Sequence, residues 1–244
     1  MMNTTITGID ITKILFLDIE TVPQHPSLSD LSEEEQFFWQ KKALRLYEEG
    51  MSDEDLYQKA GIFAEFGKII CISVAFVRPK DGTFEMRVRS FAGDDERKIL
   101  SDFMDLVNKY YSSKKIYFCA HNGKEFDFPF IARRALINGI QVPLTLDSRG
   151  QKPWEVQHLD TLDLWRFGDY KNYTSLALLA HVFGIPTPKD DIDGSQVCNV
   201  YWKDNDLQRI VTYCQKDVIT VVQLFCKYRC QDLIPEENIV IVTD

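Results

Sequence analysis

The 244 residues carry 28 Lys and Arg against 37 Asp and Glu, a net charge of −9, with 45% hydrophobic and 27% charged residues. That composition fits a globular chain of one domain, or at most two small ones, and excludes collagen-like, bulk-disordered and histone-like classes. No apolar run reaches transmembrane length, and the polar opening Met1–Thr12 lacks the pattern of a secretory signal.

Along the chain, Ile14–Ile19 is a short apolar run that suits a buried strand, and Thr21-Val22-Pro23 is expected to break it. Residues 24–66 differ in composition. Ser32–Glu35 and Ser52–Asp55 read as helix start signals, so two helices, roughly 33–49 and 53–60, are expected as an insertion between the first two strands. Ile69–Val77, the turn Pro79–Gly82 and Thr83–Phe91 predict a hairpin. Ile99, Leu100, Phe103, Leu106 and Val107 share a helical face, which predicts a helix over 94–111. A fourth strand at Ile116–Ala120, a helix at 127–138 closed by Gly139, and a fifth strand over 156–161 follow. A short helix at 174–183, a turn-rich loop at 184–194 and the longest helix at 204–229 come next, and 239–242 reads as an edge strand or docked tail. The order predicts an α/β fold, a mixed sheet of about five strands flanked by helices, in one domain spanning 1–244.

The six Cys, at 71, 119, 198, 214, 226 and 230, form no CxxC pair and do not cluster with His. Reduced thiols used for packing, a cytoplasmic location and no zinc site are the expectation.

Three segments stand out for their acids. Asp18 and Glu20 lie on one side of the first strand, and like charges so placed repel unless a cation bridges them. A D-x-E triplet is common in so acidic a chain. Asp94-Asp95-Glu96 is a second instance, but it opens a helix, where acids serve as caps, whereas Asp18 and Glu20 interrupt an apolar strand. The second segment, His121 to Ile131, follows a strand and opens a helix, with Asp127 well placed as an N-cap and Pro129 in the first turn. In the third, Tyr213 and Asp217 sit at i and i+4 on the longest helix, at the edge of the apolar stripe of Leu207, Ile210, Val211, Cys214, Val218, Val221 and Phe225.

In this order and on these elements, D-x-E, N-x-x-x-F-D-x-P-F and Y-x-x-x-D resemble the three motifs of the DEDDy 3′–5′ exonuclease superfamily. The FDxPF form looks most like the proofreading exonuclease domain of family-B DNA polymerases, here expected as a stand-alone chain. The resemblance implies a ribonuclease H-like fold. It implies hydrolysis of the 3′-terminal phosphodiester of single-stranded DNA or RNA, DNA favoured, with two divalent metal ions (Mg²⁺ or Mn²⁺) and release of nucleoside 5′-monophosphates. By resemblance Asp18 bridges both metals, Glu20 and Asp217 complete the site of the nucleophilic water, Asp127 holds the second metal, and Tyr213 orients the water. Thr21, Asn122 and Phe126 match positions near the terminal nucleotides.

Other residues invite separate expectations. His158, Asp160 and Asp163 read as a polar cluster, with Asp160 either structural or supporting the residues that act. Lys189-Asp190-Asp191 looks similar to a loop of the same family. Lys124, Arg133, Arg134 and Lys171 are candidates for a basic rim, against the usual fate of a solvated face. The alternative to catalysis is a silent nucleic-acid-binding module of the same fold. A phosphatase with Asp18 as nucleophile is disfavoured because Glu20 stands where a second Asp is wanted.

Overall fold

The computed structural model describes residues 6–47, 50–111, 116–171, 173–187 and 192–243. At its centre is β1, Ile14–Pro23, which pairs antiparallel with β2, Gly67–Lys80, and parallel with β4, Tyr117–Ala120. β3, Thr83–Ala92, returns antiparallel to β2 through a tight turn in which Asp81 and Gly82 take φ of 46° and 80°, the left-handed pair that a two-residue hairpin needs. Short parallel strands β5, Leu159–Asp160, and β6, Ile239–Ile241, close the edges in the order β5-β4-β1-β2-β3-β6. Among the described residues the sheet has six strands, the five expected and an edge strand at Ile239–Ile241, which pairs with Met86–Val88.

Strand alternation assigns β1 to two cores. Leu15, Leu17 and Ile19 pack with Phe103, Met104 and Ile131 from α3, Glu96–Tyr111, and α4, Asp127–Ile137. Phe16 faces the other way, against Val218, Val221 and Phe225 of α8, Leu207–Tyr228, with the Phe16 and Phe225 rings edge-on at 5.5 Å. Each such side chain stabilises the fold by about 2 kcal/mol relative to exposure. Asp18 and Glu20 are in phase with Phe16, so β1 presents them on the side that α8 covers.

The insertion after β1 carries α1, Glu33–Ala43, and α2, Asp53–Gln58, each opened by a reciprocal capping box at Ser32 and Ser52. Trp39 packs edge-on against Tyr57 and Phe66, giving the insertion its own small core. Among the described residues the remaining α-helices are α5, Thr161–Arg166, α6, Leu176–Val182, and α7, Val197–Asn199.

Several boundaries differ from the sequence reading. Thr21-Val22-Pro23 does not end β1. A bulge between Glu20 and Thr21 shifts the register and the pairing continues to Pro23, because Val22 is buried with Ile70, Val197 and Ile210 and Pro23 sits at the last paired position. α1 ends at Ala43, and residues 48–49 of the longer helix expected there lie outside the described residues. β5 is two residues long, not six. α8 starts at Leu207 because Asn205 takes φ 52° and Asp206 caps the new helix, accepting from the Arg209 N–H. Among the described residues no helix is long and apolar enough to cross a membrane.

Candidate active site

The β1 pair opens the site. Asp18 lies opposite Ser73 and Glu20 opposite Cys71. Glu20 is 7% exposed. Asp18 Oδ2 is buried with no hydrogen-bond partner. Burial, then the neighbouring Glu20, Asp217 and Asp127 charges, push the Asp18 carboxyl well above its ordinary range. Burial, Asp217, Cys71 and Asp127 do the same to Glu20.

Asp127 arrives from the opposite face at the start of α4. The expected N-cap role does not hold: Phe126 occupies the cap position, and Asp127 is the first helical residue. Its carboxyl is 3% exposed and is raised to about 8, chiefly by burial and also by Asp160 and Asp217. Backbone hydrogen bonds at its own residue and at Ile19 oppose that rise, and the Ile19 contact ties the side chain to β1.

The loop that delivers Asp127 is tightly held. Asp160 accepts from the backbone N–H groups of Asn122 at 2.9 Å and Lys124 at 3.0 Å, and from Leu162 and Asp163 as the N-cap of α5. A structural role for Asp160 is what these bonds describe. Asn122 has φ 62°, a region that Asn tolerates better than most residues, so its residue type has a backbone reason. At Gly123 a Cβ would fall 2.4 Å from the Ala120 Cβ, so only glycine fits this turn. Phe126 is half-buried, against the Phe130 ring at 5.3 Å and the first core. Thr21 is half-buried just past the bulge.

α8 closes the site. Tyr213 and Asp217 are both half-buried at the border of its apolar face, and the Tyr213 hydroxyl hydrogen-bonds Asp217. Burial and the carboxylates of Asp217, Glu20 and Asp18 raise the phenol far above its ordinary value, so it stays protonated. Between them Cys214 bonds the Asp18 carbonyl at 3.5 Å, and its Sγ lies within 4.8 Å of carboxylate oxygens of Asp18 and Glu20. Burial and Cys71 push this thiol well up, so it is a neutral neighbour rather than an anionic ligand.

A comparison inside the same chain shows what the cluster lacks. Glu96 is as buried as Glu20, but it receives Arg134 through Nε at 2.8 Å and Nη2 at 2.5 Å, and also the Ile69 N–H at 2.7 Å. Among the described residues, no Lys or Arg pairs with Asp18, Glu20 or Asp127, and the charges acting on them are other acids. A set of convergent oxygen donors with one orphaned buried oxygen fits hard divalent cations.

Other expectations are corrected or fall elsewhere. Arg134 is not part of a basic rim; it is buried in the Glu96 pair and also donates to the Ala64 carbonyl. Lys124 pairs with Asp163 at 2.9 Å, and Arg133 and Lys171 are exposed. His158 lies half-buried between the Phe118 and Phe128 rings, its pKa lowered to about 4 by burial, so it is a neutral packing residue. Lys189, Asp190 and Asp191 lie outside the described residues. Sequence reasoning missed Cys214 as a neighbour of the acids. It also missed Tyr173, whose phenol is raised by burial and by the charges of Asp127, Asp160 and Asp217. Only the position of Cys214 beside Tyr213 hinted at the first, and nothing local pointed to the second.

A mixed sheet of this order, with acids from β1, α4 and α8 gathered at the end of its first strand, defines the class: an exonuclease-like domain of ribonuclease H-like fold. The family described as "Predicted 3'-5' exonuclease related to the exonuclease domain of PolB" matches residues 62–237, and the chain belongs to it. Asp18 and Glu20 lie ahead of the matched stretch. A DNA polymerase of Archaeoglobus fulgidus is 28% identical over 134 residues, which cover 51% of this chain and 16% of that one. The structure of the family B DNA polymerase from the hyperthermophilic archaeon Pyrobaculum calidifontis aligns over 88% of this chain and 24% of its own, with a TM-score of 0.51 and 17% identity. This chain thus spans about a sixth and a quarter of those two proteins.

Proposed function

We propose that this chain, as a single exonuclease domain with a helical insertion, is a metal-dependent 3′–5′ exonuclease. It hydrolyses the 3′-terminal phosphodiester of single-stranded nucleic acid, DNA in preference to RNA, and releases nucleoside 5′-monophosphates. The observation that carries the reading is the buried acid cluster of Asp18, Glu20 and Asp127, with no Lys or Arg paired to them among the described residues, beside Asp217 and a protonated Tyr213. Membership of a family related to the exonuclease domain of PolB supports it, and so do relatives named as DNA polymerases, which favour DNA.

Asp18, Glu20, Asp127 and Asp217 would hold two divalent ions, Mg²⁺ or Mn²⁺. Bound there, such ions supply an activated water and neutralise charge on the phosphate and the leaving oxygen. The chain's own groups do the rest. Tyr213, donating from a hydroxyl that does not ionise, orients the water rather than deprotonating it. Asn122, Phe126 and Thr21 border the cluster and position the terminal nucleotides, the flat Phe126 without base readout.

The test is the identity of the product. An oligonucleotide labelled in its 3′-terminal nucleotide should yield a labelled 5′-monophosphate as the first product in Mg²⁺ or Mn²⁺, and none in EDTA. A 3′-monophosphate, or labelled oligonucleotide fragments from internal cuts, would refute the reading. Binding with no hydrolysis in either metal would leave the silent binding module.

A further inference from the structure

The stretches 166–171 and 173–174 carry three large exposed aromatics, Phe167 at 91%, Tyr170 at 68% and Tyr173 at 66% exposure. Single exposed aromatics need no explanation. These three stand on a segment locked to the loop that delivers Asp127. Lys124 pairs with Asp163 at 2.9 Å, and Arg166 pairs with Glu125 at 3.3 Å. His121 bridges the two segments: its Nε2 bonds the Thr174 carbonyl at 3.0 Å, and its Nδ1 bonds the Thr161 hydroxyl at 2.9 Å. A carbonyl only accepts, so Nε2 carries the ring proton and Nδ1 accepts from Thr161. The imidazole is therefore a neutral strut. The Tyr173 ring lies edge-on to it, centroids 6.4 Å apart at 70°. Phe167 is held at φ 45°, a conformation costly for a bulky side chain, and the Arg166 guanidinium lies 5.5 Å from the Tyr170 ring.

Exposed Trp154 is a useful contrast. Among the described residues it has Lys152 against its ring at 5.3 Å and no contact that ties it to the acid cluster. The backbone after Tyr173 is held by His121, and the Tyr173 ring stands next to that residue, which precedes Asn122, and keeps two-thirds of its surface open. We propose that Tyr173 is a positioning residue, a stacking platform for a base at the 3′ end of the single strand, with Phe167 and Tyr170 extending the aromatic rim. The inference rests on the exonuclease reading for the identity of the strand. It adds that the terminal base is gripped by its flat face, without sequence readout. Stacking suits an acidic chain, because it binds a polyanion through its bases rather than through bulk charge.

The experiment uses the full chain and its Tyr173→Ala, Tyr173→Leu and Tyr173→Phe variants. Exonuclease rates on a single-stranded DNA oligonucleotide are read against substrate concentration. Equilibrium binding of the same fluorescently labelled oligonucleotide is read in Ca²⁺ without turnover. Tyr173→Ala and Tyr173→Leu should raise KM and the binding Kd about tenfold or more, the scale of one lost stacked base. Tyr173→Phe should stay within about twofold of the unsubstituted chain. An oligonucleotide with abasic 3′-terminal positions should erase the difference between Tyr173→Ala and the unsubstituted chain, which a merely structural role would not do. Equal KM and Kd for Tyr173→Ala and the unsubstituted chain would overturn the inference, as would a Tyr173→Phe loss matching that of Tyr173→Ala. If the unsubstituted chain hydrolyses nothing, the exonuclease reading fails separately, and the Ca²⁺ binding series still decides whether Tyr173 stacks.

Discussion

Replacing Asp127 by Asn should stabilise the metal-free protein while removing its function. The folded carboxyl is raised from 3.8 to about 8, so near neutral pH the folded chain retains a proton that the unfolded chain has lost. Stability falls with rising pH wherever the folded state binds more protons. A raised carboxyl therefore stabilises below its unfolded value, and that contribution is lost as pH climbs through the folded one. The buried histidines act oppositely, because His121 and His158 are lowered, but at the ordinary imidazole midpoint near pH 6.5 only about 0.4 kcal/mol of that opposing rise remains for each. The window from pH 6.5 to 8 is therefore dominated by the acids. One retained proton over 1.5 pH units is worth about 2 kcal/mol, or about 4–8 °C in Tm for a chain of this size. Asp18 and Glu20, also raised, steepen the fall. Thermal and urea unfolding in EDTA should show the unsubstituted chain losing at least that much between pH 6.5 and 8. Asp127→Asn should lose less and be about 2–4 kcal/mol more stable at pH 8. Mg²⁺ should reverse the ranking, since metal displaces the protons and stabilises only the intact cluster. Stability of the metal-free chain that rises across this window, or an identical slope in Asp127→Asn, would refute the reasoning.

Three further outcomes follow from particular contacts. Tyr213→Phe removes a hydroxyl that bonds Asp217 and should lower kcat about 10- to 100-fold, with Mn²⁺ affinity from calorimetry little changed. Arg134→Met leaves Glu96 as a buried, uncompensated charge and should cost about 3–5 kcal/mol in urea unfolding. Asp160→Ala orphans the N–H groups of Asn122 and Lys124 along with the cap of α5; it should cost about 2–4 kcal/mol and lower kcat, because the loop that aims Asp127 slackens.

What the sequence made legible was local in origin. Two-residue alternation along Leu15–Glu20 already put both acids on one side, and the 3.6-residue period of α8 placed Tyr213 and Asp217 at the border of its buried face. The capping boxes at Ser32 and Ser52 announced the insertion because each is complete within four residues. What stayed hidden depends on partners far away in the chain. Arg134 looked like a solvated cation until Glu96, 38 residues earlier, took its guanidinium. Asp127 looked like a cap, yet cap geometry depends on the backbone of Phe126, which residue type does not specify. The continuation of β1 past Glu20 is a product of Val22 reaching a core built from residues 70 to 210. Tyr173 gains its meaning only from His121, whose ring ties the carbonyl of Thr174 to the other side of the site.

The most direct measurement of the central claim is a time course on a 5′-labelled single-stranded oligonucleotide, DNA and RNA in parallel, in Mg²⁺, Mn²⁺ and EDTA, with Asp217→Ala beside the unsubstituted chain. The account predicts a metal-dependent ladder that shortens from the 3′ end one nucleotide at a time, faster on DNA, and absent in EDTA and in Asp217→Ala. Intact oligonucleotides in every lane with folded protein, or a ladder that Asp217→Ala leaves untouched, would contradict it.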